Sequence, residues 1–304
     1  MWKVLMKRKK NKFLQIEARD AWILMAPALV VLCIVSLYPV LRTFYLSLHE
    51  MVLTQPGSGF PFIGGKNYTK FFQDARAVKS LLFTFEFSVV TVLLEMGLGF
   101  AAAMIMHQKF VGRGIVRASF LIPWAIPTSI SSLMFKFIFN DQYGLFNNVL
   151  YNLGIIDSYK AWLSTSDGTF LALVITDVWK TFPYVALLIL AGLQMIPDEL
   201  YEAAKIDGAN GIQRFFHITI PCMRSTLLVT LLFRTRDAIR VFELIYVMTG
   251  GANNSESISN YAYTQLMRFL NFGYGSTLSV IIFVIVLSIS LVYLKCMNNK
   301  LTEV

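Results

Sequence analysis

Six apolar runs dominate the sequence, and each approaches the ~20 residues that an α-helix needs to cross a bilayer. Backbone polar groups inside a membrane must bond to one another, so runs of this length predict helices. Only 15% of the residues are charged, against about 25% in an average soluble domain. The sequence therefore predicts an all-α membrane protein with six transmembrane helices. The runs cover residues 22–46, 81–106, 118–139, 170–196, 226–248 and 278–293.

Lysine and arginine are unevenly distributed between the connections, and this predicts the orientation. Fifteen of them lie before the first run, after the second and fourth runs and after the last, whereas the alternate connections hold six. Because positively charged connections stay in the cytoplasm, both termini are predicted to be cytoplasmic. Residues 1–20 then form a basic tail, residues 21–297 a transmembrane domain and residues 298–304 a second tail. The net charge of +9 is interpreted as this topology signal, and no nucleic-acid partner is expected.

A mostly polar stretch, YEAAKIDGANGIQRFFHITIP, lies between the fourth and fifth runs. Pro197 suits the first turn of a helix, and Gly208 suits the left-handed conformation that ends one, so a short helix is predicted from Pro197 to Asp207. One face of this helix leaves room for another protein surface through Leu200, Ala203 and Ala204. A second short helix ends near Pro221 and has an apolar face of Ile212, Phe215 and Phe216. Two short helices at an angle predict a projecting knob rather than a span.

The pattern E-A-A-x-x-x-G, followed after nine residues by I-x-(aliphatic)-P, resembles the cytoplasmic coupling loop of binding-protein-dependent ABC importer permeases. Ile220 departs from the leucine that is usual in the family but conserves its shape. The resemblance covers Trp22 to Tyr293, and the stretch VWKTFPYVALLILAGLQMIPDELYEAAKIDGA looks like the carbohydrate branch. Within that branch, the turn TGGANNSESIS after the fifth run looks most like a system of the trehalose or maltose kind. It assigns ATPase coupling to Glu202, Ala203, Ala204, Asp207, Gly208, Ile218 and Pro221.

This resemblance implies a type I importer fold and a division of labour between subunits. A second permease subunit completes the path, two ATP-binding subunits dock on the coupling loops (residues 197–221 in this chain), and an extracytoplasmic binding protein delivers the sugar. ATP and magnesium are then bound by the partner subunits, so this chain is expected to hold no cofactor, metal or catalytic residue and not to be an enzyme. The implied substrate is a disaccharide or oligosaccharide, and the implied location is the plasma or inner membrane.

The fifth run contains five ionisable residues, which are costly in a membrane span. Helical spacing places Arg236, Arg240 and Glu243 on one face and allows Asp237 to pair with Arg240. These groups either bind sugar hydroxyls or form ion pairs that hold the span in register, and the two interpretations are compatible. The candidate residues of the substrate path are Asp177, Trp179, Thr181, Asp237, Arg240, Glu243 and Tyr246.

Other features of the runs have structural interpretations. Polar residues that are expected to pair between spans are Glu95, Lys136, Asp177 and Lys180, and Asp177 is also expected to face the substrate path. Prolines that are expected to bend or hinge their helices are Pro123, Pro127 and Pro183. The residues alone leave two rival classes open. A secondary transporter of a polar solute also has broken helices and buried charges, although it has no use for the knob. A membrane-embedded enzyme would need a nucleophile or metal set that we do not find in the sequence.

Overall fold

The computed structural model describes residues 19–54 and 59–298. Most of the predicted N-terminal tail and residues 299–304 of the C-terminal tail lie outside the described residues. Within the described part the chain is mostly helical and has isolated bridges but no named strand, which confirms the all-α fold class.

Thirteen helices occupy the described residues and are numbered in chain order. Four of them, the first, third, seventh and last, are long and apolar enough to cross a membrane. Two bent pairs bring the number to six if each pair is one span: Arg113–Ala125 with Thr128–Ile138, and Gly211–Cys222 with Arg224–Met248. Their bounds are α1 Arg19–Ser47, α2 Lys66–Gln73, α3 Ala75–His107, α4 Arg113–Ala125, α5 Thr128–Ile138, α6 Leu145–Asn152, α7 Ser166–Leu193, α8 Asp198–Ile206, α9 Gly211–Cys222, α10 Arg224–Ile239, α11 Glu243–Met248, α12 Ile258–Tyr263 and α13 Phe272–Asn298.

The third span is interrupted at Pro127, one of the prolines that the sequence predicts to bend their helices. α4 and α5 meet at an angle of 90°. At the junction Ile126 is extended, with φ −76° and ψ 132°, and Pro127 precedes the first residue of α5. A proline disfavours the helical conformation of the residue before it and lacks the N–H that would continue the helix. Pro123 and Pro183, by contrast, lie inside continuous helices.

The fifth span is also interrupted, and the prediction of one helix over 226–248 is wrong. α10 ends at Ile239, and α11 begins at Glu243. The carbonyl of Val241, in the gap, accepts a hydrogen bond from Ser257 Oγ at 2.8 Å. The carbonyl of Phe242 accepts one from Asn260 Nδ2 at 3.4 Å. Ser257 therefore replaces the helical bond that Val241 lacks, whereas the carbonyl of Phe242 also accepts from the N–H of Tyr246 at 2.9 Å.

Close packing of α3 against α7 forms the centre of the fold. A Cβ atom added to Gly99 would lie 2.6 Å from Val185 Cγ1, so only glycine permits this approach. Ala102 and Ala103 are buried beside it, together with Ala186 on α7. Small residues at such contacts let two helix backbones approach closely inside a membrane.

A hydrogen-bonded network fixes the end of α3 that lies opposite the coupling loop. Asp74 caps α3 by accepting from the N–H groups of Arg76 and Ala77, and its other oxygen accepts from Tyr261 Oη at 2.6 Å and Tyr274 Oη at 2.8 Å. Burial opposes the charged form of Asp74, but these hydrogen bonds outweigh it and hold its pKa below the ordinary value. The network ties α12 and α13 to α3.

Candidate functional site

A cavity of about 520 Å³ opens at the interruption of the fifth span. Its walls come from α4, α5, α7, α10 and α11, and we call it the interior cavity. The volume lies within the ~300–1,000 Å³ range of small-molecule sites. Irregular backbone at membrane depth is tolerated where it lines such a space. The polar lining consists of Thr128, Asp177, Lys180, Thr181, Tyr184, Arg234, Asp237, Arg240 and Glu243.

Arg234 is the centre of a buried ion cluster that joins three spans. Its Nε and Nη2 atoms donate to the two carboxylate oxygens of Glu95 on α3, with Nη2 at 2.8 Å from Oε1. Nη2 also donates to Asp177 Oδ2 on α7, at 2.5 Å. The side chains of Arg234 and Glu95 are 5% and 0% exposed, whereas Asp177 is 13% exposed and lines the cavity. The Glu95–Arg234 pair therefore holds Asp177 at the cavity wall.

The remaining charges of the fifth span are arranged differently from the prediction. Asp237 pairs with its neighbour Arg236, at 3.0 Å, instead of with Arg240. Because α10 ends before Arg240, helical spacing no longer relates Arg240 to Glu243, and the expected shared face is wrong. Both residues line the interior cavity, and neither forms a salt bridge within the described residues.

The interior cavity has equal numbers of positive and negative side chains in its lining. The cations are Lys180, Arg234 and Arg240, and the anions are Asp177, Asp237 and Glu243. Three charges of each sign give a formal balance at the site. Among the described residues we find no cluster of three or more histidine, cysteine or acidic side chains that could hold a metal ion.

Two aromatic rings form a platform on the cavity wall. Trp124 and Tyr184 stack with their ring centroids 5.6 Å apart and their planes 15° apart. The expected aromatic residues lie elsewhere, because Trp179 packs against Phe135 in the core. Tyr246 stacks on Phe242, on the other side of the interruption, with centroids 5.3 Å apart.

Sequence reasoning anticipated part of the lining of the interior cavity. Asp177, Thr181, Asp237, Arg240 and Glu243 line the interior cavity as a group, whereas Trp179 and Tyr246 do not. It did not select Arg234 or its partner Glu95 as site residues, although complementary charges in two apolar runs were a usable signal. Nothing in the sequence pointed to the Trp124–Tyr184 stack, because the two residues come from different spans.

The coupling loop folds as two short helices, as predicted. α8 ends at a left-handed Gly208, with φ +80°. The N–H of Gly208 donates to Lys205 O at 3.1 Å, and the N–H of Ala209 donates to Ala204 O at 2.8 Å. These two hydrogen bonds form the Schellman motif, in which a glycine commonly terminates a helix. Beyond it, Asn210 and Gln213 each bond the backbone N–H of the other and so begin α9.

Part of the coupling loop is anchored to the spans, and part is exposed. Tyr201 Oη bonds Thr219 Oγ1 at 2.9 Å, the Phe215 ring packs on Phe100, and half-buried Ile218 joins the core around Met223. The motif residues Glu202, Ala203, Asp207, Gly208 and Pro221 are exposed, and Ala204 is half-buried. Large apolar side chains are exposed as well, at 87% for Ile206, 71% for Ile212 and 61% for Phe216. Exposed apolar surface of this kind marks an interaction site.

The sequence matches the family described as "Binding-protein-dependent transport system inner membrane component" over residues 95–299. The chain belongs to this family. The permease is therefore a multi-pass membrane protein and a subunit of a binding-protein-dependent importer, not a secondary transporter. It is 44% identical over 283 residues to the trehalose/maltose transport system permease protein MalF of Thermococcus litoralis, covering 92% of this chain and 94% of MalF. It is 38% identical over 284 residues to the sulfoquinovosyl glycerol transport system permease protein SmoG of Agrobacterium fabrum, covering 92% and 91%.

A solved structure shares the fold of the permease. It is a chain of a bacterial ABC transporter involved in the import of the acidic polysaccharide alginate. The TM-score is 0.81, and the match covers 94% of this chain and 99% of that one, at 21% sequence identity. The permease therefore has the type I ABC importer fold that its motifs implied.

Proposed function

We propose that this permease is the transmembrane subunit of an ATP-driven importer for a neutral disaccharide or oligosaccharide. The observation that carries the proposal is the interior cavity, whose three cations and three anions balance. An acidic sugar needs surplus positive charge along its path, whereas a neutral sugar is bound by hydrogen bonds to charged groups of both signs. The relationship to a trehalose/maltose permease supports the same class of substrate.

Each part of the interior cavity has a role in this proposal. Carboxylates such as Asp177 and Glu243 accept hydrogen bonds from sugar hydroxyls, and Arg240 donates them. The stacked Trp124–Tyr184 pair offers an aromatic face to the apolar side of a pyranose ring. Arg234 contributes a positive charge to the cavity wall, and together with Glu95 it positions Asp177.

Transport energy comes from partner subunits in this scheme. A second permease completes the path, an extracytoplasmic binding protein delivers the sugar, and two ATP-binding subunits hold ATP and magnesium. One of them docks on the coupling loop, which we place in the cytoplasm with both termini. The exposed Ile206, Ile212 and Phe216 support a docking role, since apolar side chains outside the spans need a covering surface. Closure of the ATP-binding dimer would swing the spans between inward-facing and outward-facing states.

Substrate class is tested by uptake into vesicles that contain the assembled importer and each candidate binding protein. Labelled trehalose and maltose are compared with a uronic-acid disaccharide of similar size. We expect uptake of a neutral sugar only. Asp237→Asn should make the cavity net positive and raise the relative uptake of the acidic sugar, whereas the exposed Asp141→Asn should not. Preferred uptake of the acidic sugar by the unaltered importer would refute the neutral-substrate proposal.

Coupling is tested with two glycines of the coupling loop. Gly208 is left-handed, and Gly211 lies in α9, while a Cβ at either position would meet open space. We expect Gly208→Val to misplace the loop, because a β-branched residue disfavours the left-handed conformation. ATP hydrolysis should then be uncoupled from sugar uptake, so that hydrolysis continues while uptake is lost. Gly211→Val adds the same volume without that strain and should remain coupled. Tightly coupled uptake in both variants would exclude a docking role for this turn.

A further inference from the structure

A second cavity, of about 590 Å³, lies where α3 and α7 end and the coupling loop begins. We call it the hinge cavity. The residues of its lining that matter here are Met104, His107, Gln108, Asp198, Lys205 and Arg214. Unlike the interior cavity, it lies at the ends of spans, at the depth where a bilayer changes from acyl chains to headgroups.

The charges of the hinge cavity do not balance. Its one acidic lining residue, Asp198, already binds Lys109 at 3.2 Å outside the lining. Lys205 and Arg214 form no salt bridge within the described residues. The Nε atom of Arg214 is buried and has no hydrogen-bond partner among the described residues. Because Arg214 and Lys205 line the cavity and have no carboxylate partner among the described residues, an anionic group that enters the cavity can bind their side chains.

An apolar track leads along α3 to the hinge cavity. Leu94, Leu98 and Ile105 are 46%, 50% and 47% exposed, and their spacing places them on one face of the helix. Met104, which precedes Ile105 in the chain, is exposed as well and lines the cavity. The molecule that fits both features has an anionic head and a long apolar tail.

We propose that the hinge cavity binds the phosphate headgroup of an anionic glycerophospholipid of the cytoplasmic leaflet. Arg214 and Lys205 bind the phosphate, and an acyl chain lies along the exposed face of α3. Basic pockets between spans on the cytoplasmic side are suited to such headgroups. The proposal rests on the orientation given under the proposed function. In this proposal the bound lipid links α3 to the coupling loop. The lipid composition of the membrane would then change how tightly ATP hydrolysis is coupled to uptake.

The test counts lipids retained by the purified full-length permease, together with the subunits that co-purify, by native mass spectrometry. Lipid-depleted protein is titrated with phosphatidylglycerol or phosphatidylcholine. We expect phosphatidylglycerol to be preferred by about tenfold or more, since at least two basic side chains contribute. Arg214→Gln should lower this preference about fivefold. Lys205→Gln, at an exposed position that does not threaten folding, should lower it in the same direction.

The matched control is Arg224→Gln, which removes an exposed arginine on the same side of the membrane but outside the cavity. It should retain the full preference. Equal preference in the unaltered permease and in both cavity variants would overturn the site. If millimolar glycerol 3-phosphate displaced the lipid fully, the cavity would be a site for a soluble phosphate, and the lipid proposal would be wrong. If the lipid were bound by the permease alone but absent from the assembled importer, the cavity would be occupied by an acidic side chain of a partner subunit, and the lipid proposal would again be wrong. The measurement needs neither sugar nor ATP, so its outcome is separable from that of sugar import.

Discussion

The third and fifth spans of the permease are both interrupted, but the causes differ: local sequence interrupts the third span, and contacts with a distant element accompany the interruption of the fifth. In the third span two prolines stand one helical turn apart, at Pro123 and Pro127, and the chain bends by 90° at the second. In the fifth span no proline or glycine occurs between residues 224 and 248. The gap there is held by Ser257, which bonds the freed carbonyl of Val241, and by Asn260, which adds a second donor to the carbonyl of Phe242.

The difference teaches where a broken helix can carry function. A break made by proline needs no other part of the molecule, so it is rigidly local. A break held by distant side chains brings those elements together, and the fifth-span gap is where five helices meet around the interior cavity. Long-range contacts should therefore affect the fifth span far more than the third.

The largest expected effect is at Arg234. Arg234→Met leaves the buried Glu95 and Asp177 carboxylates without their cation, which costs about 3–5 kcal/mol when a buried pair is broken. Thermal unfolding in detergent should show a strongly destabilised permease. Arg236→Met removes an arginine that is 42% exposed and should change stability by about 1 kcal/mol or less. Adding Glu95→Gln and Asp177→Asn to Arg234→Met should restore folding, and a failure of this rescue would show that charge pairing is not the cause.

The next effect concerns the bond that holds the fifth-span gap. Ser257→Ala leaves the carbonyl of Val241 without its donor and removes the cap of α12, at a cost of about 1–3 kcal/mol. Hydrogen exchange should rise around residues 240–242 and stay unchanged around residues 126–127. Ser259→Ala, in the same helix, is the control. Equal acceleration at both spans would mean that the two interruptions are not independent.

A smaller effect is expected on acidification, through Asp74. Its pKa is lower in the folded protein than in the unfolded chain, so its stabilising effect is present above about pH 3.9 and disappears as the pH falls through the lower folded value. Because Tyr261 ties α12 to Asp74, exchange near the fifth-span gap should increase in that acidic window. The difference between the unaltered permease and Asp74→Asn isolates this carboxyl from the others. An identical pH profile in both proteins would contradict the assignment.

The smallest effect on stability is expected at Pro127. Pro127→Ala should change the unfolding free energy by about 1 kcal/mol or less, because the entropy that the unfolded chain gains is offset by the hydrogen bond that the returned N–H can form. It should nevertheless open the 90° bend, since the N–H needed to continue the helix returns. Spin labels at the exposed Ile115 and Phe137 would report a longer distance. Pro123→Ala, inside α4, should leave the distance unchanged, and an unchanged distance in Pro127→Ala would assign the bend to packing.

Local properties explain what could be predicted from sequence. The spans followed from the length of the apolar runs, and the end of α8 followed from the left-handed tolerance of Gly208. The fifth-span gap could not be predicted in the same way, because no proline or glycine marks it and the side chains that bond its backbone come from residues 257 and 260. Helical spacing failed for Arg240 and Glu243 because spacing is meaningful only while the helix continues.

The sequence by itself therefore determined the class of the protein, its apolar spans and the shape of its coupling loop, since hydrophobic length and backbone preference act over a few neighbouring residues. The tertiary structure decided which charges meet and which aromatic rings face the interior cavity. Arg234 binds Glu95 across 139 positions and Asp177 across 57. Many pairings of five charged residues satisfy the same sequence, and only the packing of α3 and α7 brings these carboxylates within reach of one guanidinium group.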